Sequence, residues 1–352
     1  MEAYRINPAK GLEFGLYTLG DHLANPRTGE RISAAQRLKE IIRLAQLAEQ
    51  AGIDFFSVGE SHQEYFATQA HTVVLSAIAQ ATEKIKIASS STIISTSDPV
   101  RVYEDFSTID LLSGGRAEIV AGRASRIGLY ELLGYDLRNY EELYEEKFDL
   151  LRKINEEKVV NWSGEFRAPL RNAEVIPRPE GGKLPIWRAV GGTPTSAIKA
   201  GHAGVPMFLA HLGGPAVAFK RSIDAYRMAA TEGGFNPAEL PISTAGFFYA
   251  AETTQQAINE YYPHINEGMK RTNGQGFPRF QFEQGADSQN VMNVGSPEQI
   301  IEKILYQHEL FGHQRYVAQM DFGGVPFEKL EQNIEIIATK ILPAIRKYTA
   351  QT

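Results

Sequence analysis

Eight short apolar runs, each followed sooner or later by a helical pattern, recur along this 352-residue chain, and that alternation restricts its fold more than any other feature. The runs lie at 13–19, 53–58, 85–94, 116–121, 186–190, 205–210, 243–251 and 315–320. Between them apolar residues return about every 3.6 positions, as at Leu38, Ile41, Ile42, Ala45 and Ala48. Strict alternation of strand and helix implies a mostly parallel sheet whose faces are covered by helices. Eight units point to an α/β protein closed into a (β/α)8 TIM barrel rather than an open doubly wound sheet. Such a barrel takes about 250 residues. The surplus is expected as insertions at 124–139, 158–185 and 273–295. No composition break marks a boundary, so 1–352 is read as a single domain.

Local signals set the element ends. Ser33, Asp98-Pro99 and Ser296-Pro297 read as helix starts, and Gly52 as a stop. The stripe Ile334, Ile337, Ala338, Ile341, Leu342 and Ile345 predicts one closing helix over 328–348. VVNWSGEFRA, at 159–168, reads as a hairpin turning at Ser163-Gly164. The Gly/Gln/Asn-rich stretch 273–293 has no period and reads as a mobile loop.

Composition excludes several functions. A net charge of −6 with no long basic block argues against nucleic acid as a partner. There is no cysteine, and the eight histidines show no HxH or HExxH spacing, so no metal is expected. No run approaches the roughly 18 apolar residues of a membrane span, nor is there a signal-type start. A soluble, cytoplasmic protein away from membranes is the expectation. Neither GxGxxG after the first strand nor GxxxxGK[ST] occurs, which weakens a Rossmann or P-loop reading.

In such a barrel the site lies at the C-terminal strand ends. There the chain places Tyr17, Leu19, Glu60-Ser61-His62, 89–92, Gly122-Arg123, 191–195, Ala210-His211, 247–249 and 319–322. WRAVGGTPTSAIKAGHAG, 187–204, ends an apolar run in two glycines and starts a helix, with Thr193 as N-cap, Pro194 in the first turn and Gly201 as C-cap. Its outward N–H groups and the hydroxyls of Thr193, Thr195 and Ser196 suit an anion. Taken singly, this turn also reads as an ordinary connection and Arg123 as an ion-pair arginine. Together they read as a phosphate clamp. Glu60 reads as the partner of an arginine at the barrel mouth. Ser61 and His62 would point opposite ways on a strand, so a Ser–His nucleophile is not expected. His62 reads equally as an acid/base group and as a solvent-facing histidine, and His211 likewise. Carboxylates are too few for a two-carboxylate hydrolase. A phosphate clamp beside an apolar cup implies a cofactor that carries the chemistry.

The runs STIISTSDPVRVYEDFSTIDLLSGGRAEIVAGR (91–123), FFSVGESH (55–62), PRPEGGKLPIWRAVGGTPTSA (177–197) and VGSPEQIIEKI (294–304) resemble the bacterial luciferase-like, flavin-dependent monooxygenases. The resemblance spans nearly the whole chain, in order. It implies a TIM barrel that binds FMN, or less often the deazaflavin F420. In the family, reduced flavin and O2 insert one oxygen atom into a small organic substrate. By resemblance Arg123 is the phosphate arginine and Gly191, Gly192, Thr193 and Thr195 the phosphate turn. Ser90–Ser91 matches a non-proline cis peptide under the flavin ring. The luciferase catalytic subunit has His-His after the glutamate of its second strand, the first His being its base. Here Ser61 holds that position, so the role does not transfer, His62 is the candidate catalytic residue, and light emission is not expected. The resemblance further implies reduced FMN from a separate flavin reductase, a homodimer through the second and third helices, and water exclusion by 273–293. Two alternatives stand beside this reading. One is an F420-dependent hydride-transfer oxidoreductase, whose polyglutamate tail would favour Arg126 and Arg138. The other is a non-catalytic flavin-binding protein.

Overall fold

The structure, a computed structural model, describes residues 1–123 and 128–350. Its strands are β1 (Glu13–Thr18), β2 (Phe55–Val58), β3 (Lys86–Ser89), β4 (Thr92–Ile93), β5 (Ala117–Gly122), β6 (Val159–Trp162), β7 (Leu170–Glu174), β8 (Ile186–Val190), β9 (Met207–Ala210), β10 (Ile242–Ala250), β11 (Asn293–Gly295) and β12 (Arg315–Gln319). Its helices are α1 (Ala34–Gln50), α2 (His71–Ala81), α3 (Pro99–Ser113), α4 (Leu129–Leu132), α5 (Tyr140–Glu156), α6 (Pro194–His202), α7 (Ala216–Glu232), α8 (Thr254–Asn273), α9 (Arg279–Gln284), α10 (Pro297–Phe311), α11 (Phe327–Ile336) and α12 (Leu342–Thr349). Eight strands close in parallel in the order β1-β2-β3-β5-β8-β9-β10-β12, and β12 returns to β1. This is the expected (β/α)8 barrel. β4 extends the sheet beside β5, β11 beside β10, and β6 pairs with β7 as a separate antiparallel ribbon.

Side chains alternate across each strand, so every second residue enters the barrel. The lowest layer is charged. Arg315 donates to Glu13 at 2.9 Å and to both Glu118 oxygens at 2.8 and 3.1 Å. Trp187 Nε1 also donates to Glu118, at 2.9 Å, and Lys86 pairs with Glu13. The Arg315 guanidinium lies 4.1 Å from the Phe55 ring centroid. Burial alone would raise the Glu118 carboxyl, yet Arg315 holds it below its ordinary range. Above this layer Phe55, Ala88, Val120, Trp187, Phe208, Ala245 and Val317 fill the barrel. The next inward positions, Tyr17, Ser57, Ser90, Gly122, Ala189, Ala210, Phe247 and Gln319, form the uppermost layer.

Ser33, Asp98 and Ser296 cap their helices as expected, accepting from Gln36, Val100 and Gln299 N–H. Four local expectations change. Thr193 stands at the N-cap of α6 as expected, though without a side-chain cap bond, whereas Gly201, expected as the C-cap, lies inside that helix, whose C-cap is Ala203. A Cβ at Gly201 would sit 2.3 Å from the Tyr226 carbonyl oxygen, so glycine there serves the close approach of α7. The β6–β7 connection is 163–169 rather than a Ser163-Gly164 turn, because the Glu146 carboxylate gathers the N–H groups of Glu165, Phe166 and Arg167. The stretch 273–293 contains α9, whose Phe282 is buried against Tyr261, Tyr262 and Phe277. The closing helix divides into α11 and α12 through a π-type turn at Ile337–Ile341. Pro343 has no N–H to continue the ladder there.

Glu118→Gln takes one of two carboxylate partners from Arg315 and leaves Glu13 to carry its charge. It is expected to lower the unfolding free energy by about 1.5–3 kcal/mol, read from urea denaturation at neutral pH. An unchanged midpoint would show that the cluster does not tie the barrel.

Candidate active site

The uppermost layer is the floor of a cavity of about 300 Å3 at the C-terminal mouth. Tyr17, Val120, Ala189, Phe247 and Gln319 line it from below. Leu19, Leu129, Phe208, Leu212, Met269 and Phe322 make apolar walls, and Glu60, Ser61, His62, Ser90, Ser91, Arg123 and Thr272 supply polar groups.

The Ser90–Ser91 peptide is cis, at the position the resemblance implied. Ser57 Oγ donates to Ser90 Oγ at 2.9 Å, Ser90 N–H to Val58 O at 3.1 Å and Glu60 N–H to Ser91 O at 3.0 Å. Two glycines make room for this segment. A Cβ at Gly122 would lie 2.1 Å from Ser91 Oγ, and one at Gly59 2.6 Å from the Ser90 carbonyl oxygen.

Glu60 lies just past β2 and is claimed by two groups, neither of them an arginine. Its Oε2 accepts from Ile93 N–H at 2.8 Å, and its Oε1 lies 2.8 Å from His62 Nε2. A carboxylate only accepts, so His62 presents an N–H from Nε2 to Glu60, and in the neutral ring the lone pair is then on Nδ1. Behind Glu60 lies His71, with Nδ1 at 3.9 Å from Glu60 Oε2 and Nε2 at 2.8 Å from Thr92 Oγ1. Burial pushes His71 below the ordinary histidine range, against the pull of Glu60, and favours its neutral form. His71 escaped the sequence reading. Its signal was its place on the apolar face of α2 with Val74, Leu75 and Ile78. Ser61 Oγ is buried and has no partner among the described residues.

Arg123 is not an open fork here. It pairs with Glu141 and lies 5.4 and 5.3 Å from the Tyr140 and Tyr144 ring centroids. The same wall holds Lys199, 3.5 Å from Glu141 and 2.9 Å from Glu145, while Arg188 clasps Glu145 at 2.9 and 2.6 Å. The register of Ala121 with Arg188 brings the 191–195 turn beside Arg123. Gly191, Gly192, Thr193 and Thr195 are exposed there, outside the cavity lining, to which Val190 contributes.

His211 departs from the expected cup. It is buried between Phe219, Phe311 and Tyr316, away from the cavity lining, and burial pulls it down to about 4. Tyr249 turns outward and donates to Glu260 at 2.8 Å. Arg138 is held by Asp136 at the surface, and Arg126 lies outside the described residues. The 273–293 segment stands beside the mouth without lining the cavity. Gln299 donates to Ala286 O at 2.6 Å, and buried Lys303 donates to Gly285 O.

Comparison with known proteins places these observations. Residues 12–314 match the family described as luciferase-like monooxygenase. The N-acetyl-S-alkylcysteine monooxygenase of Bacillus subtilis is 29% identical over 240 residues, covering 65% of this chain and 66% of that protein. Monooxygenase RslO1 from Streptomyces bottropensis superposes with a TM-score of 0.83 at 24% identity, covering 94% of this chain and 99% of the other. The oxygenating constituent of 3,6-diketocamphane monooxygenase from Pseudomonas putida, solved with FMN, gives 0.77 at 20% identity, covering 95% and 98%. An F420-dependent secondary alcohol dehydrogenase has the same fold. At these structural identities the likeness is one of fold. Among the described residues no helix is long and apolar enough to cross a membrane.

Glu60→Ala removes the acceptor shared by His62 and Ile93. Deuterium exchange at the Ile93 amide should accelerate at least about ten-fold, with about 1–3 kcal/mol lost from stability. Unchanged exchange would mean that water replaces the carboxylate at no cost.

Proposed function

The chain belongs to the luciferase-like monooxygenase family, and we propose that it uses reduced FMN and O2 to transfer one oxygen atom to a small organic substrate. The observation that carries this reading is one apolar cavity that gathers Arg123, the Ser90–Ser91 segment and His62. That set fits a flavin mononucleotide: a cation for the phosphate, peptide groups for the polar ring edge and apolar walls for the ring. When bound, reduced FMN supplies two electrons, so that one atom of O2 enters the substrate and the other leaves as water.

The protein's own work is then limited. Arg123 and the Gly191, Gly192, Thr193 and Thr195 turn hold the phosphate, with Glu141 yielding its place on Arg123. The backbone around Ser90 and Ser91 orients the ring. His62 Nδ1, kept as an acceptor by Glu60, takes or returns a proton at the cavity rim. The apolar walls, with 273–293 beside the mouth, exclude water. In this reading the protein acts as a single domain in the cytoplasm, as a homodimer, and receives reduced FMN from a separate flavin reductase.

Anaerobic equilibrium binding of reduced FMN, oxidised FMN, riboflavin and F420 tests this. Wild type should prefer FMN, and Arg123→Ala should weaken FMN by about 10- to 100-fold while leaving riboflavin unchanged. Glu141→Gln should tighten FMN alone. Preference for F420 would move the function to hydride transfer, and failure to bind any flavin would sink the reading.

A further inference from the structure

A second hollow lies at the other end of the barrel. Residues leading into β1, β10 and β12, three neighbouring strands, enclose a cleft of about 530 Å3 at the N-terminal face. Leu12 and Gln314 directly precede β1 and β12, and Leu240 stands two residues before β10. Ile6, Leu12 and Leu240 are buried and give the cleft an apolar floor. Among the described residues no side chain lining it is a carboxylate, and Arg227 is the one always-charged side chain there. His308 and His313 also line it, but burial pushes both below the ordinary histidine range and favours the neutral ring.

Arg227 projects from α7 and is held by one nitrogen. Its Nη2 donates to Phe311 O at 2.5 Å and to Gly312 O at 3.3 Å, at the C-terminal end of α10. Gly312 permits this approach, since a Cβ there would lie 2.9 Å from Nη2. Nε and Nη1 have no partner among the described residues, yet they are not sealed off and keep access to solvent. Asp224, nearly one turn earlier on α7, is taken up by Lys220. Burial lowers the Arg227 guanidinium from its ordinary value, with Asp224 opposing. The end of α10 offers only a partial negative charge. The anchoring therefore fixes the guanidinium and leaves most of its charge to be matched.

We propose that this cleft is a second ligand-binding site, and that its ligand is a small monocarboxylate with an apolar body. The carboxylate meets Arg227, and the body covers Ile6, Leu12 and Leu240. A concave apolar surface with one fixed polar group is the usual form of a small-molecule site. A phosphate dianion would bring a second charge for which the cleft has no partner, and a neutral molecule would leave Arg227 unmatched. The site stands independently of the monooxygenase reading, because it lies at the opposite end of the barrel.

Benzoate and benzamide, the same ring with and without the charge, are titrated by calorimetry at neutral pH. The proteins are wild type, Arg227→Gln, Arg227→Lys, Ala238→Trp and Arg123→Ala. Wild type should bind benzoate about ten- to one-hundred-fold more tightly than benzamide, the worth of one hydrogen bond to a charged group. Arg227→Gln should bring the two affinities within about two-fold of each other, and Arg227→Lys should keep part of the difference. Ala238 is exposed at the rim, so tryptophan there should fill the cleft and weaken both ligands without touching the charge. Arg123→Ala should change neither affinity. Wild type that binds no benzoate at millimolar concentration overturns the proposal. So does a benzoate preference that survives Arg227→Gln, or one lost in Arg123→Ala instead, which gives the anion to the cavity at the other mouth. Should Arg227→Gln unfold through loss of its hold on α10, the Ala238→Trp variant decides, and benzoate binding unchanged in it overturns the proposal.

Discussion

Arg315 and Glu118 meet inside the barrel from strands on opposite sides of it, both fully buried, and the arrangement above them depends on that meeting. A buried ion pair is a weak source of net stability, because desolvation offsets most of the attraction. What this pair supplies is register. Slipping β12 or β5 by one residue would turn a charge into the helix layer and leave its partner unpaired. Glu13, Lys86 and Trp187 add hydrogen bonds that only the observed register allows.

The strand period carries that register upward to the site. Arg315 inward makes Val317 and then Gln319 inward, and Glu118 inward leads through Val120 to Gly122. Tyr17, two steps above the Glu13 layer through Gly15, reaches the height of Gln319, where its hydroxyl finds the carboxamide. On the other wall Ser90 reaches the height of Gly122, whose missing side chain makes room for Ser91. Charge at the bottom of the barrel thus sets which polar atoms reach the cavity at the top.

The same period explains what the sequence reading could and could not see. Alternation exposed the eight strands, and Ser33, Asp98 and Ser296 exposed helix starts, because those signals lie within a few neighbouring residues. His211 was placed in the cup by proximity to a strand end. Yet Ala210 faces inward, so the next residue faces the helices, and that was deducible. The Glu60–His62 pair was missed for a different reason. Treating 60–62 as strand set Ser61 against His62, whereas β2 ends at Val58 and the chain beyond it bends around the Glu60 carboxylate. Contacts set by tertiary packing, such as Glu146 with 165–167 and Arg123 with Glu141, leave no periodic trace at all.

The Arg123–Glu141 pair also changes what the proposed phosphate binding at this wall means physically. An arginine already paired does not contribute its full attraction to an incoming phosphate, only the difference between two partners. Glu141 is 47% exposed at its side chain, so solvent screens the pair and its worth is at most about 1 kcal/mol. A phosphate hydrogen-bonded by the same guanidinium is worth about 1.5–3 kcal/mol, so exchange runs toward phosphate. Tyr140 and Tyr144 lie close to the guanidinium, and little side-chain freedom remains to be lost when the partner changes. Lys199, within reach of both Glu141 and Glu145, is placed to receive the displaced Glu141 carboxylate. In the proposed phosphate role, the wall therefore swaps one anion for another without leaving a charge unpaired.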